Sequence, residues 1–277
     1  MKKRQKPIYN IILALVYIFL YAPLLVMVFF SFNESKSTSV FTGFSLKWYA
    51  ELFSRSDITE ALRNTLVLAV LSSVIATLIG TIAAYGIFKI KNRIISGALM
   101  GTTNIPMMNP DIVTGVSLML LFVFVGRIMQ LGTYLSFFTL LIAHITFNIP
   151  YVILNVLPKL RQTDIRLYEA ALDLGCTRRQ AFFKVTLPAI NPGIVSGLLM
   201  AFTLSLDDFV ISYYTSGAGF QTLPLKIFSM TKKTVKPDMY ALSSIIFITI
   251  LILLITINLL QAKAEKMTNE KKGKIDE

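Results

Sequence analysis

The segment Glu169–Pro188 reads EAALDLGCTRRQAFFKVTLP. Its five charged residues are too many for a membrane span, yet its apolar residues recur with the period of a helix. Asp164 is suited to cap a helix in which Ile165, Tyr168 and Leu172 share a face. Gly175 is suited to end that helix in a reversal that only glycine makes at little cost. The segment therefore predicts a helix followed by a glycine turn.

A second helix is predicted directly after this turn. Thr177 and Gln180 have the spacing of a capping box, which starts helices. Leu187–Pro188 and Asn191–Pro192–Gly193 are expected to end the second helix, because proline lacks the backbone donor that a helix interior needs. We therefore expect a helix–glycine–helix elbow over residues 159–191.

The sequence around the elbow is strongly apolar, with 55% hydrophobic and 15% charged residues. A span needs roughly 20 apolar residues, and the uncharged runs predict six spans. The predicted spans are Ile8–Phe32, Arg63–Phe88, Ile95–Gly126, Tyr134–Leu157, Ile194–Tyr214 and Tyr240–Ala262. The predicted fold is an all-α membrane protein with one domain over residues 8–262. Residues 1–7 form an N-terminal segment, and residues 263–277, rich in Lys and Glu, are expected to be disordered.

Three further helical features follow from the pattern. The third span is expected to break at NIPMMNPD, where Asn109–Pro110–Asp111 is suited to start a new helical segment. Trp48 and Leu52 recur at helical spacing in an external segment, which predicts a short amphipathic surface helix. Thr222 is expected to cap a short external helix, LPLKIFSM.

Charge in the loops predicts the orientation in the membrane, because Lys and Arg are enriched in short cytoplasmic loops. With the N-terminus inside, eighteen of the 27 Lys and Arg residues are cytoplasmic and nine are external. Both termini and the elbow are therefore expected in the cytoplasm of a bacterial plasma (inner) membrane, with lipids around the spans. The apolar stretch Ile8–Phe32 is too long for a cleaved signal peptide.

Several kinds of chemistry find no support in the sequence. No GxxxxGK[ST] phosphate loop is present, and one His with one Cys cannot build the usual zinc site. His144, in the middle of a span, is most simply a hydrogen-bonded packing residue. The net charge of +12 is spread over span ends, so it indicates topology rather than a nucleic-acid partner.

Carboxylates are the main charges expected inside the spans: Asp111, Asp207 and Asp208. An ionisable group at this depth is costly and usually has a function or a partner. Asp111 could instead stabilise the start of its half-helix, and the other two could be packed and protonated. Since Asp207 and Asp208 are neighbours on a helix, at most one is expected to face a central path. A negatively charged path favours a small cationic solute.

The elbow resembles the EAA signature of ABC-importer permeases: Glu-Ala-Ala, three residues, Gly, nine residues, then Ile-x-Leu-Pro. EAALDLG and VTLP fit at every fixed position except Val185, which replaces isoleucine. The resemblance implies the fold of a type I ABC importer permease and a coupling helix that docks on a separate ATPase. The coupling residues it implies are Glu169, Ala170, Ala171, Gly175, Leu187 and Pro188.

Over about residues 10–260 the chain also resembles the PotC-type permease of spermidine/putrescine importers. The stretches that carry this resemblance are KWYAELF, MNPDIVTGVSLMLLF, AHITFNIPYV, FTLSLDDFVISYY and TLPLKIFSM. It implies a PotB-like sister permease, a PotA-like ATPase dimer that binds ATP and Mg²⁺, and a PotD-like extracellular or periplasmic binding protein. No cofactor is implied for this chain. The polyamine path would include Trp48, Asp111, Ser205, Asp207 and Asp208, although Trp48 is also suited to be an interfacial anchor.

Other functions remain open at the level of sequence. An importer of the same class for another cargo, such as ferric iron, thiamine or another small solute, fits the elbow equally well. A passive cation channel gives no reason for the elbow. An intramembrane aspartyl protease would pair two aspartates, but its GxGD motif is absent from LSLDD and MNPD. The sequence does not distinguish spermidine from putrescine.

Overall fold

The computed structural model describes residues 7–35, 40–130, 134–232, 238–249, 251–252 and 255–256. Helices account for nearly all regular structure in these ranges, and the exception is an isolated antiparallel bridge between Asn33 and Phe44. The helices are α1 Pro7–Phe30, α2 Lys47–Ser54, α3 Ser56–Lys89, α4 Arg93–Met108, α5 Asp111–Ile128, α6 Phe137–Gln162, α7 Ile165–Asp173, α8 Arg178–Ala181, α9 Leu187–Asp207, α10 Val210–Thr215, α11 Leu223–Thr231 and α12 Asp238–Thr249.

The predicted all-α membrane fold is confirmed by the length and apolarity of the helices. Within the described residues, five stretches are long and apolar enough to cross a membrane: α1, α3, α5, α6 and the stretch from Arg178 to Asp207. The predicted sixth span begins as α12, a shorter apolar helix. Most of the remainder of that span lies outside the described residues, as do the segment 1–6 and the predicted disordered tail.

The predicted break in the third span is present. α4 ends at Met108 and α5 begins at Asp111, because Pro110 lacks the backbone donor that would continue the helix. The expected start is displaced by one residue, since Pro110 rather than Asn109 is the N-cap of α5. Asn109 instead forms the C-cap of α4, where its backbone N–H donates to the carbonyl of Ile105.

The second helix of the elbow does not end at Pro188 or Pro192, contrary to expectation. After α8 the chain forms a π-helical turn, Phe182–Thr186, and continues directly into α9. Pro188 directly follows the π-helical turn, where the regular i→i−4 hydrogen-bond pattern is already interrupted. The projecting part of the elbow is therefore shorter than predicted, and the fifth span starts earlier.

The described residues form two compact units, one drawn from residues 1–60 and 226–255 and the other from residues 61–225 with residue 256. In the second unit, α6 packs between α3 and α9 around a buried apolar cluster that includes Ala84, Val152 and Ile190. Gly80 permits this packing, since a Cβ there would lie 2.7 Å from the Cβ of Val152. Close approach through small residues is typical of membrane helices. Gly86, further along the same helix, has open space around it.

In the first unit, α1 presents exposed apolar side chains from Tyr9 to Phe29, as a lipid-facing or partner-facing span does. The start of α3, with the residue before it, is joined to α11 and α12 by ion pairs. Arg55 binds Asp57 and Asp238, each at 2.9 Å, and Lys226 binds Asp57 at 2.9 Å. Hydrogen bonding to Asp57 raises the pKa of the Arg55 guanidinium, so Arg55 keeps its charge.

Candidate functional site

Two of the predicted path residues lie exposed at helix breaks. Asp111 is the first residue of α5, and Asp207 is the last residue of α9. The two breaks are near each other, because α5 packs on α10: a Cβ on Gly115 would lie 3.0 Å from Cδ2 of Tyr214 and 3.5 Å from the carbonyl of Val210. Broken helices at membrane depth are a recurring way to build a solute site.

The second break was not predicted. The sequence suggested one helix over Ile194–Tyr214, but α9 stops at Asp207 and α10 starts at Val210. The Asp208 carboxylate takes up backbone donors that the break leaves free, accepting from Ile211 N at 3.2 Å and Ser212 N at 2.7 Å. Neither Pro nor Gly marks this position, and the available signal was an aspartate, a preferred helix cap, inside an apolar run.

Asp208 and Ser205 belong to a buried polar cluster centred on His144. The ring nitrogen Nε2 lies 3.4 Å from Oδ2 of Asp208 and 3.1 Å from Oγ of Ser212, and Nδ1 lies 3.2 Å from Oγ of Ser205. Ser205 also accepts a hydrogen bond from Asn148 Nδ2 at 2.8 Å and lies 2.9 Å from the Ser72 hydroxyl. The expectation that His144 is a hydrogen-bonded packing residue is confirmed.

Exposure therefore divides the five predicted path residues. Asp111 and Asp207 are exposed, whereas Trp48, Ser205 and the Asp208 side chain are 5%, 2% and 8% exposed. Trp48 lies in α2, and its indole N–H donates to the carbonyl of Asn33 at 2.7 Å. The Lys47 ammonium lies 5.6 Å from the centre of the indole ring. The structure thus brings Ser205 and Asp208 together around His144, and Trp48 belongs to the other compact unit.

The elbow has the local geometry that its sequence predicts. Asp164 accepts from the backbone N–H of Arg166 at 2.9 Å, and Thr177 and Gln180 form both halves of a capping box. Gly175 has φ of +87°, the left-handed conformation that glycine adopts without strain. The elbow therefore reverses at Gly175 as expected.

The predicted coupling residues occupy two places. Glu169 and Ala170 are exposed and Ala171 half-buried on α7, beside Leu174, which is 86% exposed at the tip of the elbow. The other two predicted residues, Leu187 and Pro188, lie apart from this surface in the first turn of α9, and Leu187 packs against the buried core.

A groove of about 660 Å³ lies between the elbow and the end of α3. The Lys89 ammonium stands 4.8 Å from the ring centre of Tyr168 and 5.4 Å from that of Tyr85, and Tyr85 packs edge-on against Phe182 at 4.8 Å. These contacts join the elbow to the end of α3. Lys89 and Tyr85 were not among the predicted coupling residues, since nothing in their spacing relates them to the elbow.

Comparison with known proteins identifies the family of this chain. Residues 76–267 match the family described as the binding-protein-dependent transport system inner membrane component. The chain belongs to this family. It is therefore a multi-pass permease subunit of the bacterial inner membrane that works with a substrate-binding protein. The predicted importer-permease class is confirmed.

Curated relatives of this permease cover nearly its whole length. It is 37% identical to the spermidine/putrescine transport system permease protein PotC of Escherichia coli (strain K12), over 88% of this chain and 90% of that one. It is 39% identical to the putrescine transport system permease protein PotI of the same strain, over 92% and 91%. PotC of Haemophilus influenzae is 37% identical over 92% and 96%.

Solved structures of ABC transporters have chains with the same fold as this permease. A bacterial ABC transporter that imports the acidic polysaccharide alginate has a chain that superposes on this permease with a TM-score of 0.70, at 18% identity over 92% of this chain and 95% of that one. A chain of an amino acid ABC transporter superposes with a TM-score of 0.54 at 20% identity. At such identities the likeness concerns the fold alone.

Proposed function

We propose that this permease forms part of the translocation path of an ATP-driven polyamine importer for spermidine or putrescine. Its partners are a PotB-like sister permease, a PotD-like binding protein and a PotA-like ATPase dimer that binds ATP and Mg²⁺. Both termini of the permease lie in the cytoplasm. Curated relatives named for spermidine and putrescine transport support this cargo.

The pair of exposed carboxylates at the helix breaks is the observation that carries the proposed cargo. Among the described residues, neither Asp111 nor Asp207 forms an ion pair with a basic side chain. An unneutralised carboxylate is expensive in a membrane, and a cationic solute supplies the missing charge. A polyamine, with ammonium groups along a flexible apolar chain, suits two carboxylates on separate helices.

The exposed elbow supports the proposed coupling to an ATPase. In this proposal the surface around Glu169, Ala170 and Leu174 docks on the ATPase dimer. Closure of that dimer then moves the elbow, and the contacts of Lys89 and Tyr85 pass the displacement to α3. Rigid-body movement of packed helices of this kind alternates access to a central site.

Uptake of labelled spermidine by cells with and without this permease tests the proposed cargo. Deletion should abolish energy-dependent uptake, and the wild-type chain should restore it only when ATP is not depleted. Asp207→Asn should raise the KM for spermidine by about 10- to 100-fold, since a hydrogen bond to a charged group contributes about 1.5–3 kcal/mol. Asp164→Asn, a change on the elbow that leaves a capping oxygen in place, is the matched control.

The outcomes separate the cargo from the class of transporter. Unchanged spermidine and putrescine uptake on deletion, in cells without a second polyamine importer, would remove the polyamine assignment. Stimulation of ATP hydrolysis in the reconstituted complex by ferric iron or thiamine would then identify the other cargo. Uptake that persists after ATP depletion would instead indicate a passive channel.

A further inference from the structure

At the break between α9 and α10 a single carboxylate, Asp208, caps the start of α10. Asp208 is in extended conformation between the two helices, with φ of −62° and ψ of 122°. Its two oxygens accept from the N–H groups of Ile211 and Ser212, which would otherwise need helical partners. Backbone donors at membrane depth must be satisfied inside the protein. The break therefore persists only while the Asp208 side chain stays in place.

His144 is the side chain that contacts Asp208 from the neighbouring helix α6. Nε2 faces a carboxylate oxygen, which only accepts, so Nε2 carries a hydrogen. Nδ1 lies 3.2 Å from Oγ of Ser205, whose oxygen accepts from Asn148. His144 thus links Asp208 to residues on α6 and α9 at once.

The polar cluster around His144 is buried, whereas the carboxylate of Asp207 beside it is exposed. The His144 ring is 1% exposed and Ser212 and Asn148 are fully buried, whereas Asp207 is exposed. In a continuous helix, residues 207 and 208 would be turned by about 100° relative to each other, at 3.6 residues per turn. Because the helix is broken here, the two side chains no longer keep this angle. The direction of the Asp207 side chain then depends on the backbone conformation that the contacts of Asp208 stabilise.

We infer that His144 is a positioning residue: it holds the Asp208 carboxylate against the first turn of α10, keeps the helix broken after Asp207, and so leaves Asp207 open to a cationic solute. Asp208 then acts as a structural cap rather than as a ligand of the cargo. The consequence for transport rests on the proposed function, but the positioning does not.

Two substitutions at position 144 separate the two sides of the ring. Asparagine places its amide near the position of Nδ1, so His144→Asn keeps the contact with Ser205 and loses the contact with the Asp208 carboxylate. Glutamine reaches the position of Nε2, so His144→Gln keeps a donor towards Asp208 and Ser212. Thr146→Ala is the matched control on α6, because Thr146 is exposed and its hydroxyl donates to the carbonyl of Ile142 in its own helix.

The first readout is the labelling of a cysteine at position 207 with a water-soluble methanethiosulfonate reagent. It uses the assembled complex in membrane vesicles, with Asp207→Cys in a Cys176→Ser background, which removes the chain's one natural cysteine. His144→Asn should lower the labelling rate about tenfold, the factor expected when a charge-assisted hydrogen bond is lost. His144→Gln and Thr146→Ala should label at the parent rate.

The second readout is spermidine uptake with Asp207 and Cys176 intact, normalised to the amount of permease in the membrane. His144→Asn should raise the KM about tenfold, and His144→Gln should stay near the wild type. Equal or faster labelling in His144→Asn than in the parent would overturn the positioning role. Slower labelling without any spermidine uptake by the wild type would support positioning and reject the polyamine cargo.

Discussion

At the scale of single residues, Gly175 shows how conformation rather than packing constrains the elbow. Its φ is +87°, and a Cβ at this position would meet nothing within 4 Å. Gly175→Ala therefore costs only the left-handed backbone strain, roughly 1–2 kcal/mol, and should reduce ATP-dependent uptake partially. Gly175→Pro fixes φ near −65° and should abolish uptake, as Glu169→Lys should by reversing a charge on the docking surface.

Gly97→Ala is the control in the uptake measurement, because Gly97 does not have the left-handed conformation of Gly175. Gly97 lies within α4 and has no neighbour within 4 Å of a built Cβ, so Gly97→Ala should transport normally. Immunoblots of membrane fractions should show equal amounts of every variant. Full uptake by Gly175→Pro at equal abundance would contradict the coupling role of the elbow.

At the scale of elements, the start of α11 is held by a residue distant in sequence. Thr222 was expected to cap this helix, but its hydroxyl is buried without a described partner. The backbone N–H of Leu223 instead donates to Oγ1 of Thr65 at 2.7 Å. Thr65→Val should therefore loosen the first turn of α11 by about 1 kcal/mol, giving roughly fivefold faster amide hydrogen exchange there.

Thr59→Val is the control for this change, because the Thr59 hydroxyl is exposed and donates only to the carbonyls of Arg55 and Ser56. It should leave exchange in α11 unaltered. If Thr65→Val and Thr59→Val gave the same exchange rates as the wild type, the cap seen in the structure would contribute nothing to the stability of α11.

At the scale of the whole molecule, the balance of charge predicts that both termini are cytoplasmic. A green fluorescent protein fused after Glu277 should fluoresce, and alkaline phosphatase fused at the same place should be inactive, since it folds only outside the cytoplasm. Phosphatase inserted after Gly219, in the predicted external loop, should be active. Active phosphatase at the C-terminus would contradict the predicted cytoplasmic C-terminus.

The sequence alone determined the features that depend on neighbouring residues. Caps and breakers act over one helical turn, so the capping box of Thr177, the reversal at Gly175 and the break before Asp111 were all predicted. The apolar runs predicted the membrane fold, because the length of a span is set by the bilayer. The spacing of residues in the elbow predicted the importer-permease family, because this motif lies within one short stretch of sequence.

The tertiary structure alone decided what the intramembrane polar residues do. Asp207 and Asp208 are equivalent by sequence, but His144, 64 positions away along the chain, holds one of them and leaves the other exposed. The break at Asp208 and the passage of α9 through Pro188 and Pro192 were likewise missed, since each depends on partners from other helices or on a π-helical turn. A buried polar group is fixed by whatever satisfies it, and that partner is chosen by the fold.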